Sequence, residues 1–225
     1  MKTYLSEADH ARVSAAVAEA ESRTAGEIVT VVADRSDGYS DIALAWSAIV
    51  AFTALIVLAL FPDFYLWLVD WLLDNWAHEW TPREIFTLAA VVAIAKFLGM
   101  WLIQLWPPLK FWLVLPPIKS HRTLARAVSL FKVGAERRTS GRTGILIYLS
   151  MREHRAQILA DEAIASKVPP ETWGEAMAAM LAHIGDGRCA DGMIAAVEKV
   201  GVVLAEHFPR AEDDVNELPD RLIEL

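Results

Sequence analysis

Cysteine is almost missing from this chain. Cys189 stands alone among 225 residues, so neither an intrachain disulfide nor a cysteine zinc cluster can form, and the thiol reads as a spectator. Basic residues are outnumbered 21 to 29, for a net charge of -8. That balance excludes the broad basic footprint on which nonspecific nucleic-acid binding depends. The opening MKTYLSEADHARVS lacks the apolar core of a signal peptide, so any insertion into a membrane is expected to begin further along. There is no G-x-S-x-G elbow, no H-E-x-x-H pair, no G-x-G-x-x-G after a strand and no Gly-Lys-Ser/Thr phosphate loop. His10, His78, His121, His154, His183 and His207 are scattered and make no close metal-ligand pair.

Charge is missing altogether from Ile42 to Phe61, and Lys96 alone interrupts the run from Ile85 to Trp106. Twenty residues at about 1.5 Å each span about 30 Å as a helix, the thickness of a bilayer's hydrocarbon core. The two runs therefore predict a transmembrane hairpin within residues 42–119. The segment from Phe64 to Trp76 is tryptophan-rich and carries Asp70 and Asp74, which suits a helix lying in the outer headgroup region. Residues 62–84 hold Arg83 as their only basic side chain. Residues 107–138 hold Lys110, Lys119, Arg122, Arg126, Lys132, Arg137 and Arg138. The positive-inside rule then predicts a multi-pass protein of the inner membrane with both termini cytoplasmic, and the basic cluster is expected to meet anionic headgroups of the lipid bilayer. Lys96 reads as a snorkelling or water-facing side chain, with a transport role as the alternative.

Two crossings return the chain to the side it left, so residues 1–41 and 120–209 are expected to fold together as one discontinuous domain. Ser6 can cap a helix in which Val13, Ala16, Val17 and Ala20 share a face. Glu27 to Ala33 (EIVTVVA) and Gly144 to Ser150 (GILIYLS) read as buried strands covered on both sides, and AQILA at 156–160 as a third, joined by the polar turn Met151 to Arg155. Ser120 is expected to cap a helix through Phe131. Two more helices are expected around 171–184 and 191–207. Residues 210–225 read as an acidic, mobile tail. Together these elements define an α/β class with an inserted two-helix hairpin.

Several carboxylates fall at strand ends and loop joints, where open α/β sheets receive ligands. Asp34, Asp37 and Asp41 follow the first strand, Asp161 follows the third, and Asp186 lies in the helix joint. A hard cation such as Ca or Mg takes oxygen ligands of this kind, which makes these five the candidate metal residues. The simpler reading of each is a solvated surface acid. An EF-hand is excluded, because the twelfth position of a loop beginning at Asp34 is Ala45.

The ordered set of Leu5-Ser6, Ala25-Gly26-Glu27-Ile28, Thr143-Gly144-Ile145-Leu146-Ile147, Arg152, the AQILAD strand, Gly185-Asp186 and Asp191-Gly192 resembles the TPM domain family. The resemblance implies an α/β/α sandwich, divalent-metal binding as in some members, and either acid phosphatase activity, as proposed for a plant member, or an accessory role in membrane complexes. In the commoner layout an anchor follows the domain; here the hairpin interrupts it. Two functions follow as expectations. One is a non-catalytic binding or assembly module with a membrane-protein partner, in a chain able to oligomerise. The other is a divalent-metal-dependent, acid phosphatase-like hydrolase.

Overall fold

The computed structural model describes residues 4–74, 78–134, 143–210 and 217–225. It forms two compact units, Met1–Asp37 with Pro116–Leu225, and Gly38–Leu115. Trp76, Arg137, Arg138 and most of the TSGRT turn lie outside the described residues.

The first unit is an α/β/α sandwich. Its helix α1 (Glu7–Glu21) starts with a reciprocal cap: Ser6 Oγ accepts from the Asp9 amide at 3.1 Å, and Asp9 accepts from the Ser6 amide at 3.2 Å. Such a cap stabilises a helix end by about 1 kcal/mol. Strand β1 (Glu27–Ala33) lies at the centre, paired in parallel with β2 (Gly144–Ser150) in the register Glu27 to Gly144 through Ala33 to Ser150. Every residue of both strands is buried, as the two-faced apolar runs predict. β3 (Arg155–Ala160) turns back antiparallel onto β2.

Alternation along the strands divides the core. Ile28, Val32, Ile145, Ile147 and Leu149 face α1, α8 (Trp173–Gly185) and α9 (Cys189–His207). Val29, Val31, Ala33, Leu146 and Tyr148 face Ala127 and Phe131 of α6 (Pro116–Gly134). α9 packs against both α1 and α8, and two glycines allow the approach. A Cβ at Gly192 would stand 2.8 Å from the Met180 carbonyl oxygen, and one at Gly201 would stand 2.8 Å from Ala20 Cβ.

Three expectations change. Ser120 is not a helix cap: α6 begins at Pro116, because proline's missing amide costs nothing in a first turn, and Ser120 Oγ instead accepts from Arg155 Nε at 3.1 Å. A short helix α7 (Glu162–Ala165) follows β3, opened by Asp161. Residues 217–225 are not a free tail. Ile223–Glu224 forms β4, parallel to β1 on the side away from β2, giving the sheet order β3-β2-β1-β4, and Leu218 and Leu222 are buried. Charge-rich composition suggested mobility; two leucines and an unpaired strand edge outweigh it.

The second unit contains α2 (Ser40–Leu60), α3 (Pro62–Leu73), α4 (Pro82–Ile103) and α5 (Pro107–Leu113). Pro62 breaks the chain between α2 and α3, and Thr81 with Glu84 caps α4 reciprocally, followed by Pro82. α2 and α4 pack along one another. At one end the buried Gln104 amide donates to the Ala43 carbonyl at 3.0 Å and to Ser47 Oγ at 3.4 Å. Both long helices are long and apolar enough to cross a membrane. Lys96 lies exposed on α4, seven residues before Ile103 and so about 10 Å from the helix end, within range for snorkelling.

Candidate functional site at the carboxyl edge of the sheet

The carboxyl ends of β1, β2 and β4 lie together because all three run parallel. β1 delivers Asp34 there, and the turn after β2 delivers Arg152. The Arg152 Nε donates to both Asp34 carboxylate oxygens at 2.9 Å, and the Tyr4 hydroxyl donates to Asp34 Oδ1 at 2.5 Å. Burial opposes ionisation of Asp34, but the guanidinium and the hydroxyl prevail and hold its pKa below the usual carboxylate range. The same contact works the other way on Tyr4, where burial first and the Asp34 carboxylate next push the phenol up to about 12. Tyr4 also donates its amide to Glu224 Oε1 at 2.6 Å, and His10 Nε2 lies 3.1 Å from Glu224 Oε2. The edge thus joins the start of the chain to β1, the β2–β3 turn and β4.

On the α1–α9 side of this edge the charges continue. Arg12 donates to Asp191 at 2.6 Å and to Asp9 at 3.2 Å, while Arg188 reaches Asp186 at 3.1 Å and Asp191 at 3.4 Å. The hydrogen bond from Arg12 lowers the Asp191 pKa most. Tyr4, Asp9, Arg12, Arg188 and Asp191 line a shallow depression of about 180 Å³, with Gly187 at φ +76° turning the chain into α9. Cys189 lies beside it, buried, its thiol pushed up to about 11 chiefly by that burial, which leaves it a poor nucleophile.

On the α6 side a second network begins two residues after Asp34. The Ser36 amide donates to Glu153 Oε1 at 2.9 Å; its hydroxyl lies 3.0 Å from the Tyr148 hydroxyl and donates to Thr123 Oγ1 at 3.3 Å. Ser150 donates to the other Glu153 oxygen, and Arg122 forms an ion pair with Asp37. Glu153 is 2% exposed although it sits in a turn that reads as polar. His154, next to it, is exposed with φ 50°.

The four candidate metal residues of the first unit, Asp34, Asp37, Asp161 and Asp186, do not converge. Asp34 and Asp37 share the carboxyl edge but each is bound to its own arginine. Asp161 lies at the opposite end, because β3 is antiparallel: its amide bonds the Gly144 carbonyl at the start of β2, and its side chain accepts from the Glu162 amide at 2.7 Å as the cap of α7. Seven strand residues at about 3.3 Å each set it about 20 Å from Asp34. Asp186 follows α8, paired with Arg188, and Asp41 is in the first turn of α2. Among the described residues no three His, Cys, Asp or Glu side chains gather as a metal would require. These four, as the first unit places them, do not fit one shared cation.

A different pair of acids escaped the sequence reading. At the amino edge, Glu27 Oε1 and Oε2 accept from the Glu217 and Leu218 amides, each at 3.1 Å, and Glu21 Oε1 accepts from the Ile28 amide at 2.7 Å. Both side chains are buried. Burial above all, with Glu27 and Asp220 nearby, pushes the Glu21 carboxyl up to about 8. The only sequence signal is that Glu27 opens a strand otherwise free of charge.

A parallel-centred sheet between helices, interrupted by an apolar helical hairpin, defines the class: an α/β/α domain with an insert. The family model of the TPM domain matches residues 115–203, and the chain carries a TPM domain. The match lies within the second segment of the sandwich, apart from its first residue. The NMR structure of the BA42 protein from the psychrophilic bacterium Bizionia argentinensis is similar in fold, with a TM-score of 0.57, 16% identity, and 100% of this chain and 98% of that chain covered. No curated protein matches this sequence.

Proposed function

We propose that this is an integral membrane protein whose TPM domain acts as a non-catalytic binding or assembly module. The observation that carries the membrane reading is the bareness of its most apolar helices. α2 and α4 have mean hydropathies of 2.5 and 2.1 over their most apolar windows, yet only 17% and 0% of those windows are buried within the chain. A core helix of a soluble protein would be covered. Here Ile49, Phe52, Ile56, Val91, Ile94 and Leu98 are exposed, and hydrocarbon is the medium that removes their cost.

With two crossings, the amino-terminal segment and the TPM domain share a compartment, and the Lys/Arg bias assigns that compartment to the cytoplasm. The inner membrane, with both termini inside, is the location that follows. α3 then lies in the outer interface, with Trp67 and Trp71 exposed on it. The binding role is supported by the arginine partners of Asp34 and Asp37, which occupy those carboxylates as structural pairs, and the partner expected is a membrane protein.

Reporter fusions test the topology: phosphatase active in the 62–84 connection and inactive at the carboxyl terminus is the expected pattern, and the reverse pattern overturns it. Capture from mild detergent under several growth conditions tests the binding role; a chain that returns no specific partner under any of them is not an assembly module. The competing reading, metal-dependent phosphate-ester hydrolysis, would show as cation-dependent phosphatase activity lost on replacing Asp34 and Asp37 with Ala. The expected result is no such activity.

A further inference from the structure

The second unit contains an apolar groove that the binding role does not use. Pro62 interrupts the chain at the end of α2, and Phe61, with φ -130° and ψ 54°, turns it into α3. The space left between α2, α3 and the start of α4 is about 230 Å³, lined by Leu55, Leu58 and Ala59, by Leu66, and by Leu88 and Ala89 among others. Every lining residue is apolar. Two alanines, one on each long helix, are what keep it open.

Water is a poor occupant, since a bound water requires two to four polar partners and an apolar cavity of about 150 Å³ already stays dry and accepts benzene. Left empty, the walls forfeit their dispersion contacts. The groove opens onto a continuous apolar exterior, with Leu60, Phe61, Phe64 and Phe86 exposed around it. It sits between the fourth and eighth residues of α4, about 5–10 Å from that helix's start, at the depth of the upper acyl chain when the hairpin spans a bilayer. At that depth acyl chains are the abundant apolar species.

We infer that this groove binds the upper part of a phospholipid acyl chain, making one lipid an integral part of the hairpin. The inference rests on the transmembrane reading. The full chain, reconstituted in phosphatidylethanolamine and phosphatidylglycerol vesicles with a trace of phospholipid bearing a diazirine near the ester end of its acyl chain, is irradiated and its adducts are mapped by peptide mass spectrometry. Adducts on Leu58, Leu66 and Leu88 are expected to exceed severalfold those on Ile56 and Val91, which are exposed at comparable depth on the outer face. Ala89→Phe fills the groove and is expected to abolish the excess while leaving Ile56 and Val91 labelled. Ala59→Phe, from the opposite wall, repeats the test should the first variant fold poorly.

Equal labelling of groove and outer face in the unaltered chain overturns the inference and leaves the membrane reading standing. So does Leu66→photoleucine that on irradiation cross-links to another copy of the chain in place of lipid, since a second copy would then fill the groove. Absence of adducts at Ile56 and Val91 as well removes the membrane reading itself, and the inference with it.

Discussion

At the amino end of the central strands, Glu21 and Glu27 are buried and held by backbone amides. At the carboxyl end, Asp34 and Asp37 are held by guanidinium groups. At Glu21 burial outweighs the hydrogen bond from the Ile28 amide, which by itself favours the charged form, so the carboxyl holds its proton to higher pH. At Asp34 the Arg152 guanidinium supplies both hydrogen bonds and charge, and its acid stays ionised below the ordinary carboxylate range. The carboxyl groups of Glu21 and Asp34 therefore respond oppositely to pH. Glu21, with its pKa raised to about 8, contributes stability that is complete below its ordinary value of 4.5 and is lost as pH rises through about 8. Asp34, with its pKa lowered, contributes stability that is present above its ordinary value of 3.8 and is lost as pH falls through the depressed one.

Removing residues 217–225 breaks the amino end most severely. It strips both amide donors from Glu27, uncovers the edge of β1 and deletes buried Leu218 and Leu222. The expected loss is about 3–5 kcal/mol, read as a lower thermal midpoint in detergent. Should the midpoint stay unchanged, the amino-end acids are not held as described.

Glu21→Gln sharpens the contrast. The amide oxygen can still accept from Ile28, but no charge forms. The variant is expected to be more stable than the parent by about 1–3 kcal/mol at pH 9 and indistinguishable from it at pH 4. A constant difference across that range would show that Glu21 does not titrate in the folded chain.

Asp34→Asn has the opposite profile. It costs about 1 kcal/mol at pH 7, a modest figure because the pair is partly exposed, and the cost vanishes as pH falls well below 3.8. Denaturation at pH 7 and at successively lower pH reads the cost and its loss.

A third environment completes the comparison. Gln104 is buried in the hairpin and neutral, so its bonds to Ala43 and Ser47 should not respond to pH at all. Gln104→Leu is expected to cost about 0.6 kcal/mol of hairpin stability, equally at pH 5 and pH 9, by steric trapping in detergent.

Much of the architecture was legible because it is written in local periods. β1 and β2 announced themselves as short runs apolar on both faces, α1 as a 3.6-residue stripe behind Ser6, and the hairpin as two long uncharged stretches. β4 was not legible: Arg221-Leu222-Ile223-Glu224 is too short to show alternation, and it becomes a strand only because β1 offers an unpaired edge. The candidate site was half legible. Asp34 and Asp37 were found by their place after a strand, and Asp161 was grouped with them as another strand-end acid, although the short turn before its strand suits a hairpin connection. The turn at 151–154 is too short for a crossover connection and forces β3 to run antiparallel, carrying Asp161 to the far end.

By itself the sequence determined the strands at 27–33 and 144–150 and which helices are apolar enough for a bilayer, because these follow from composition and spacing within each segment. Only the tertiary structure decided which acids meet arginines, which meet amides, and where the chain leaves a groove unfilled. Those outcomes depend on strand direction and helix packing between residues as far apart as Tyr4 and Glu224, and no local pattern encodes that distance.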